Sequence, residues 1–229
     1  MTILIVGGKG EQLNPALIYL NEDMSAGFES YKCENCEERI NQVSDFLDDT
    51  FAVCGGTVNN VVSADCKMID ETGAQIIKMI ANGRRNAASV RMNNSMMWIT
   101  GGINSDNSPL ESTEFVTTNG STPGPTLPYD VFDHCMVQYK PNAIIQISGE
   151  LKGFSGSKYT LIFDPTNDYN WTFGPKMMQG RMDHSCGKIR DEFGNDIIIV
   201  AGGDDEKNYF VEILNTTRMD NWTQGICYY

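Results

Sequence analysis

The stretch IIIVAGG (residues 197–203) decides the fold of this chain, because its pattern, a short apolar run that ends in a glycine pair, recurs along the sequence. Such a run suits a strand covered on both faces, and paired glycines allow backbone angles and close approaches that side chains forbid. ILIVGG, FAVCGG and MMWITGG repeat the pattern, and AIIQISGE is a degenerate copy with Ser148-Gly149. The glycines of the series are Gly7, Gly8, Gly55, Gly56, Gly101, Gly102, Gly149, Gly202 and Gly203.

The spacing of these copies predicts a repeat architecture. Their last glycines stand at positions 8, 56, 102, 149 and 203, so successive copies lie 46 to 54 residues apart. A period near 50 that contains several short strands is typical of propeller blades. We therefore interpret residues 1–229 as one domain, whose approximate repeats are 1–38, 39–83, 84–129, 130–180 and 181–229.

Other residues keep phase with the glycines. A variable polar stretch follows each copy, and then a second strand, as in STEFVTT and KYTLIFDP. Trp171 and Trp222 come next in two repeats, while Arg39, Arg84 and Arg181 precede the strand that leads to the next glycine pair. The pattern predicts an inner strand, the Gly-Gly strand, a third strand and an outer strand, which together make one four-stranded antiparallel blade.

These motifs resemble the kelch repeats, including those of secreted invertebrate kelch-like proteins. The likeness is best in TLIFDPTNDYNWTFGPKMMQGRMDHS, residues 160–185, and it extends over nearly the whole chain. It implies an all-β kelch-type propeller of about five four-stranded blades. Repeats one to three lack the Trp, and segment 21–50 matches poorly. There Ile40, Val43 and Leu47 have helical spacing, so a short helix competes with a strand.

The first repeat begins at its Gly-Gly strand and lacks an inner strand. We therefore expect an incomplete first blade, in an incompletely closed ring or a fragment of a six-bladed one. The start, MTILIVGGKG, has no basic region followed by a long apolar stretch, so no signal peptide is visible. A strand that begins almost at the first residue leads us to expect a missing upstream portion.

Seven cysteines are distributed along the chain. Cys54 and Cys66 lie in neighbouring strands of one predicted hairpin, which makes them the best disulfide candidates. Cys135 and Cys186 lie on the inner strands of consecutive blades and could meet near the axis. Pairing is left open for Cys33, Cys36, Cys135, Cys186 and Cys227.

Five N-x-Ser/Thr sequons are more than chance predicts, and they are candidates for glycosylation. They begin at Asn93, Asn119, Asn170, Asn215 and Asn221. Together with the cysteines they favour a secreted, extracellular protein, with a cytoplasmic location as the alternative.

The net charge of −13 argues against nucleic acid and anionic membranes as partners. The sequence contains no run of about 18 apolar residues, so we predict no membrane-spanning helix.

Catalytic motifs are not evident in the sequence. It holds neither a G-x-S-x-G nucleophile motif nor a G-x-x-x-x-G-K-[ST] phosphate loop. Its two histidines, His134 and His184, occupy one repeat position, which favours a structural role. The acidic run 204–206 is interpreted as a solvated loop. We therefore predict no enzyme, no cofactor and no metal site.

The favoured function is binding of protein partners through loops on one face of the propeller, an inference from fold-level likeness. The loops that follow the glycine pairs are the candidates, namely Lys9–Asn14, Thr57–Ser63, Ile103–Pro109, Leu151–Ser157 and Asp204–Asn208. One alternative is an intracellular kelch adaptor that presents substrates to a ubiquitin ligase. The others are a carbohydrate- or matrix-binding propeller and the non-catalytic part of an oxidase-like enzyme.

Overall fold

The structure is a computed structural model whose described part is entirely β-structure and connecting segments. It describes residues 2–5, 16–20, 26–30, 39–48, 50–70, 73–78, 83–153, 156–166, 168–204 and 210–225. Gly7, Gly8, Cys33, Cys36 and Cys227 lie outside these ranges, as does the predicted loop Lys9–Asn14. No helix in the described ranges is long and apolar enough to span a membrane.

The chain begins with a separate three-stranded antiparallel sheet. Its strands are β1 (Thr2–Ile5), β2 (Ala16–Leu20) and β3 (Ala26–Ser30), paired in that order. The prediction of about five blades is corrected here, because the described residues form four four-stranded sheets and this smaller one. A glycine period alone does not reveal how many strands a given repeat contributes.

Four antiparallel sheets, called blades I to IV, follow along the chain. Blade I contains β4 (Val43–Leu47), β5 (Thr50–Cys54), β8 (Asp65–Asp70) and β9 (Gly73–Lys78), with a hairpin of β6 (Thr57–Val58) and β7 (Val61–Val62) in its middle loop. Blade II contains β10 (Ala88–Asn93), β11 (Met96–Thr100), β12 (Thr113–Thr117) and β13 (Gly120–Pro123). Blade III contains β14 (Cys135–Lys140), β15 (Ala143–Ile147), β16 (Thr160–Phe163) and β17 (Trp171–Phe173). Blade IV contains β18 (His184–Arg190), β19 (Asp196–Gly202), β20 (Glu212–Asn215) and β21 (Trp222–Gln224).

The strand order within each blade confirms the prediction from the repeats. Every blade places its inner strand beside its Gly-Gly strand, followed by the third and the outer strand. The short helix predicted as a competitor is wrong for Val43 and Leu47, which lie in β4 and are both buried. Residues four apart face the same side of a strand as well as of a helix, so their spacing did not distinguish the two.

The blades form a propeller-like ring, because their inner strands β4, β10, β14 and β18 pack against one another in succession. A ladder of backbone hydrogen bonds connects the residues that lead into these strands. The amide of Asn86 donates to the carbonyl of Asn41 at 3.0 Å, Asp133 donates to Asn86 at 3.0 Å, and Asp183 donates to Asp133 at 3.1 Å. All four have positive φ between 51° and 56°, which Asn and Asp tolerate better than most residues.

The glycine pairs join each blade to the next one. Gly101 and Gly102 have φ of 60° and 95°, a conformation that favours glycine. A side chain on Gly101 would overlap the carbonyl oxygen of Val131, which enters blade III, and the amide of Gly102 donates to the same oxygen at 2.8 Å. In blade I, Gly56 makes the equivalent bond to Arg84 at 2.7 Å.

The repeated arginines are buried, and each one connects strands of its own blade through hydrogen bonds and an ion pair. Arg84 donates to the carbonyls of Gly101 at 2.9 Å and Ser112 at 2.8 Å, and it pairs with Glu114 on the third strand at 2.9 Å. Arg181 similarly bonds Gly202 at 2.7 Å and pairs with Glu212 at 3.2 Å. In blade I, Arg39 donates to the carbonyl of Gly55 at 2.5 Å and pairs with the carboxylate of Asp65 at 3.3 Å.

The outer-strand tryptophans contact the connections that enter their own blades. The indole N–H of Trp171 donates to the carbonyl of Pro125 at 3.1 Å, and that of Trp222 donates to Pro175 at 2.9 Å. Each proline belongs to the connection that enters the tryptophan's own blade. Trp171 also packs on the buried Trp98 of blade II, with ring centroids 5.1 Å apart, so aromatic contacts hold blades II and III together.

Two cysteine pairs in the described ranges are at disulfide distance. Cys54 and Cys66 face each other across β5 and β8, as their hairpin position predicts. Cys135 and Cys186 connect the inner strands of blades III and IV near the axis. The second pair was left open by the sequence, since it depends on how adjacent blades pack.

Candidate binding face

Strand direction divides the ring into two faces. Because neighbouring strands alternate in direction, the middle loop of each blade and the connection between blades emerge on one side. We call this side the pocket face, made of segments 39–42, 55–64, 83–87, 101–112, 124–134, 148–153, 156–159, 174–183, 203–204 and 210–211. The other side is the turn face, made of turns 94–95, 118–119, 141–142, 164–166, 168–170, 191–195 and 216–221.

The pocket face carries the described parts of the predicted binding loops. Thr57–Ser63 and Ile103–Pro109 lie on it, as does Leu151–Ser157 except for residues 154–155. Only residue 204 of the predicted loop Asp204–Asn208 falls within the described ranges. The sequence therefore located the loops correctly, but it did not indicate which of them surround a cavity.

A cavity of about 240 Å³, which we call the axial pocket, opens where the inner strands begin. It is lined by Asn41, Gln42, Asn86, Ala87, Asp133, His134, Asp183 and His184. Hydrogen-bonded polar side chains lie along the wall of this pocket. Arg85 donates to the side-chain oxygen of Asn86 at 3.0 Å, and the amide nitrogen of Asn86 donates to a carboxylate oxygen of Asp133.

Asp133 is the titrating group of the axial pocket. The pKa of Asp133 is raised to about 6, mainly by burial; the neighbouring carboxyl groups of Asp183 and Glu150 also raise it, and the hydrogen bond from Asn86 lowers it. Asp133 and Asp183 also share a hydrogen bond when one of them holds a proton. The wall of the pocket thus becomes more negative as the pH rises through about 6.

The two histidines lie behind the axial pocket as neutral rings. The pKa of His134 is lowered to about 3 and that of His184 to about 4, mainly by burial, and the nearby His184 and Arg181, respectively, contribute to the lowering. His134 Nε2 is 2.8 Å from Thr100 Oγ1, whose hydroxyl donates to the sulfur of Met136. The hydrogen bond between Thr100 and His134 links blade II to blade III.

A second cavity, the rim pocket, lies on the same face between the middle loop of blade II and the connection to blade III. Its volume is about 470 Å³, and it is lined by Pro109, Leu110, Glu111, Ser112, Tyr129 and Asp130. The hydroxyl of Tyr129 is 3.4 Å from the side-chain oxygen of Gln146. Burial raises the pKa of Tyr129 well above its usual range, so the phenol is a neutral hydrogen-bond donor.

Three aromatic rings, the aromatic patch, extend from the rim pocket across blade III. The ring of Phe173 lies 6.2 Å from that of Tyr129 and 5.8 Å from that of Tyr159, and it is 64% exposed. The ammonium group of Lys176 stands 4.8 Å from the centre of the Tyr159 ring. Sequence reasoning missed this patch, because its members come from three separate segments.

The geometry of the face suits recognition. The axial pocket presents carboxylates, and the rim pocket combines carboxylates with the ring of Tyr129, a combination that anchors basic and aromatic side chains at interfaces. Within the described ranges, no three His, Cys, Asp or Glu side chains converge as they do in a metal site. His184 Nε2 lies 3.2 Å from Cys135 Sγ, whose sulfur is at disulfide distance from Cys186.

The comparisons with known proteins do not extend this description. The chain matches no known protein family and no curated protein.

Proposed function

We propose that this chain is a kelch-type propeller that binds a protein partner through its pocket face and carries out no catalysis. The observation that carries the proposal is that the axial pocket, the rim pocket and the aromatic patch all lie on that one face. Loops held by a rigid scaffold are where binding function usually lies. Aromatic residues that stay exposed beside a concave surface are typical anchors for a partner.

The carboxylates that line the two pockets favour basic side chains of a partner at those points. Glu111 and Asp130 line the rim pocket, and Asp133 and Asp183 line the axial pocket. The net charge of the whole chain is −13. A field of this sign accelerates encounter with a positively charged surface and disfavours an acidic one.

Two exposed phenylalanines offer a matched test of the proposed face. Phe173 lies on the pocket face, and Phe193, which is 80% exposed, lies in the turn 191–195 on the turn face. Immobilised wild type, Phe173→Ala and Phe193→Ala are incubated with the same extracellular extract, and the retained proteins are quantified by mass spectrometry. We expect a protein that wild type and Phe193→Ala retain and that Phe173→Ala loses. Equal retention by all three variants, or loss with Phe193→Ala alone, would contradict the proposal.

We also propose an extracellular setting. It is supported by the two cysteine pairs at disulfide distance and by the five sequons. Titration of free thiols in protein purified without reductant separates this from the intracellular adaptor. Fewer than seven free thiols per chain supports an oxidising compartment, and seven supports the cytoplasm.

Carbohydrate binding is the second candidate function, and the aromatic patch favours it. The exposed rings of Tyr159 and Phe173 are flat apolar surfaces of the kind on which a sugar ring packs. A glycan array probed with wild type and Phe173→Ala tests this reading. Binding to a defined glycan that Phe173→Ala abolishes would replace the protein partner by a carbohydrate ligand.

A further inference from the structure

The five sequons lie on a single face of the ring. Asn93 ends β10 at the turn to β11, and Asn119 lies in the turn between β12 and β13. Asn170 and Asn221 lie in the connections that lead to the outer strands of blades III and IV, and Asn215 ends β20 at the second of these connections. All five therefore belong to the turn face, opposite both described pockets.

Their side chains are available for modification. Asn93, Asn119, Asn170 and Asn221 are exposed, and Asn215 is half-buried. The side-chain oxygen of Asn215 accepts from the backbone amides of Thr217 at 2.9 Å and Arg218 at 3.2 Å. These bonds use the oxygen of Asn215, whereas a glycan is attached through the amide nitrogen.

We propose that the turn face carries N-linked glycans at these five asparagines, while the pocket face stays bare for its partner. The inference rests on the proposed extracellular setting. In the attachment step, the amide nitrogen of Asn bonds to C1 of the sugar of a lipid-linked oligosaccharide donor. The bond from C1 to the pyrophosphate oxygen breaks, the lipid pyrophosphate leaves with that electron pair, and the amide loses one proton.

The thickness of the blades keeps the glycans away from the pockets. The inner strand β14 has 6 residues. A strand of that length spans roughly 20 Å, since each residue advances the chain by about 3.3 Å. Bulky, hydrated glycans at that distance leave the pocket mouths open and cover the exposed side chains of the turn face, including Phe193 and Tyr169.

Site mapping tests the glycans independently of any partner. The chain is secreted from eukaryotic cells behind an added leader and digested with peptide N-glycosidase in heavy-oxygen water, which labels every formerly glycosylated Asn. We expect label at the turn-face sequons, and a set of Asn→Gln variants that each lose one glycan mass. Secreted protein without label at any of the five positions would overturn the inference.

An added sequon tests whether the pocket face must stay bare. Pro109→Thr creates a sequon at Asn107, an exposed residue of the loop beside the rim pocket. Once mapping confirms a glycan there, we expect loss of the protein captured in the Phe173 experiment. Asn119→Gln, the matched control, removes a glycan from the turn face and is expected to leave capture unchanged.

The outcomes separate the two proposals. If Asn119→Gln abolishes capture and the glycan at Asn107 does not, the turn face is the docking surface and the division of faces is wrong. If mapping finds the turn-face glycans but neither variant changes capture, the glycans stand and the proposed binding face fails.

Discussion

Blades II and III fill equivalent positions with opposite chemistry. In blade II, Arg84 and Glu114 form a fully buried ion pair between the entering segment and the third strand. In blade III the same positions hold Val131 and Leu161, which pack together in a small apolar cluster with Leu127. Burial itself lowers the pKa of Arg84, a sign that enclosing this charge has a cost.

The hydrogen bonds of the missing arginine are partly replaced in blade III. Arg84 donates to the carbonyl of Gly101, and in blade III the buried Gln146 donates to the equivalent carbonyl of Ser148 at 2.6 Å. Ser148 stands where the other blades have their first glycine. Its hydroxyl donates to the carbonyl of Arg181 in the next connection at 2.6 Å, so a side chain takes over part of the contact between blades.

The difference teaches that equivalent positions of the repeat can hold either a buried ion pair or packed apolar residues. A buried ion pair can often be exchanged for apolar residues of similar volume at little cost, whereas removal of one partner is expensive. Blade III changed the arginine, the acid and the glycine together. Each of the following experiments breaks or sharpens this comparison.

The largest effect is expected from Glu114→Leu, which leaves Arg84 buried beside an apolar side chain. We expect a loss of about 3–5 kcal/mol in the free energy of unfolding, measured by chemical denaturation. The double variant Arg84→Val/Glu114→Leu imports the pair of blade III and should recover most of this loss. A double variant less stable than the single one would show that the two blades are not interchangeable.

Gly101→Ala tests the contact between blades II and III. The new methyl group would overlap the carbonyl of Val131, and the backbone has φ of 60°, so we expect a loss of roughly 2–3 kcal/mol. The control is Gly194→Ala, where φ is 82° but no atom lies within 4 Å of the added carbon. It should cost only about 1 kcal/mol, from backbone strain. If Gly101→Ala and Gly194→Ala lose the same stability in thermal unfolding, the close approach of Gly101 to the carbonyl of Val131 does not stabilise the contact between the blades.

Gln146→Leu tests whether this side chain substitutes for the arginine. It removes the donor to the buried Ser148 carbonyl and the acceptor near Tyr129, so we expect a loss of about 1–3 kcal/mol. Gln138→Leu is the control, because the half-buried Gln138 makes one bond, to the carbonyl of Met92 at 3.0 Å. If Gln146→Leu lowers the free energy of unfolding in urea less than Gln138→Leu does, Gln146 does not take over the role of the arginine.

Asn86 of blade II and Asp133 of blade III occupy equivalent positions, so Asp133→Asn makes the two blades alike there. The effect of this variant on the free energy of unfolding should depend on pH. The pKa of Asp133 is about 6 in the folded chain against 3.8 for the free group, so its ionisation favours the unfolded state. Wild type should lose stability as the pH rises from about 4 to about 6, and the amide should not. After allowance for solvent screening we expect Asp133→Asn to be more stable by about 1 kcal/mol above pH 7.

Thermal unfolding at about pH 8 and about pH 4 checks this prediction, because the advantage of Asp133→Asn should vanish at the lower value. The other groups that face Asp133 are Asn86, Asp183 and Glu150, with Arg85 behind Asn86. An equal advantage at both pH values would assign the effect to packing or hydrogen bonding instead of charge.

Much of the blade could be predicted because its signals are local. The glycine pairs indicated backbone with positive φ, and the hairpin position of Cys54 and Cys66 indicated their pairing. The residues of the aromatic patch had no such signal. Tyr129 lies in the connection from blade II to blade III and Tyr159 in the middle loop of blade III, and aromatic residues in loops have no periodicity to reveal them.

The sequence by itself determined the blade, since the strand order, the glycine pairs and the arginine positions follow from steric limits and hydrogen bonding within about 50 residues of chain. Only the tertiary structure decided how many complete blades the described chain forms, which residues line the two pockets and that all five sequons share the opposite face. Those properties depend on the packing of one blade against another and on the alternating direction of the strands, which the residues of a single repeat do not determine.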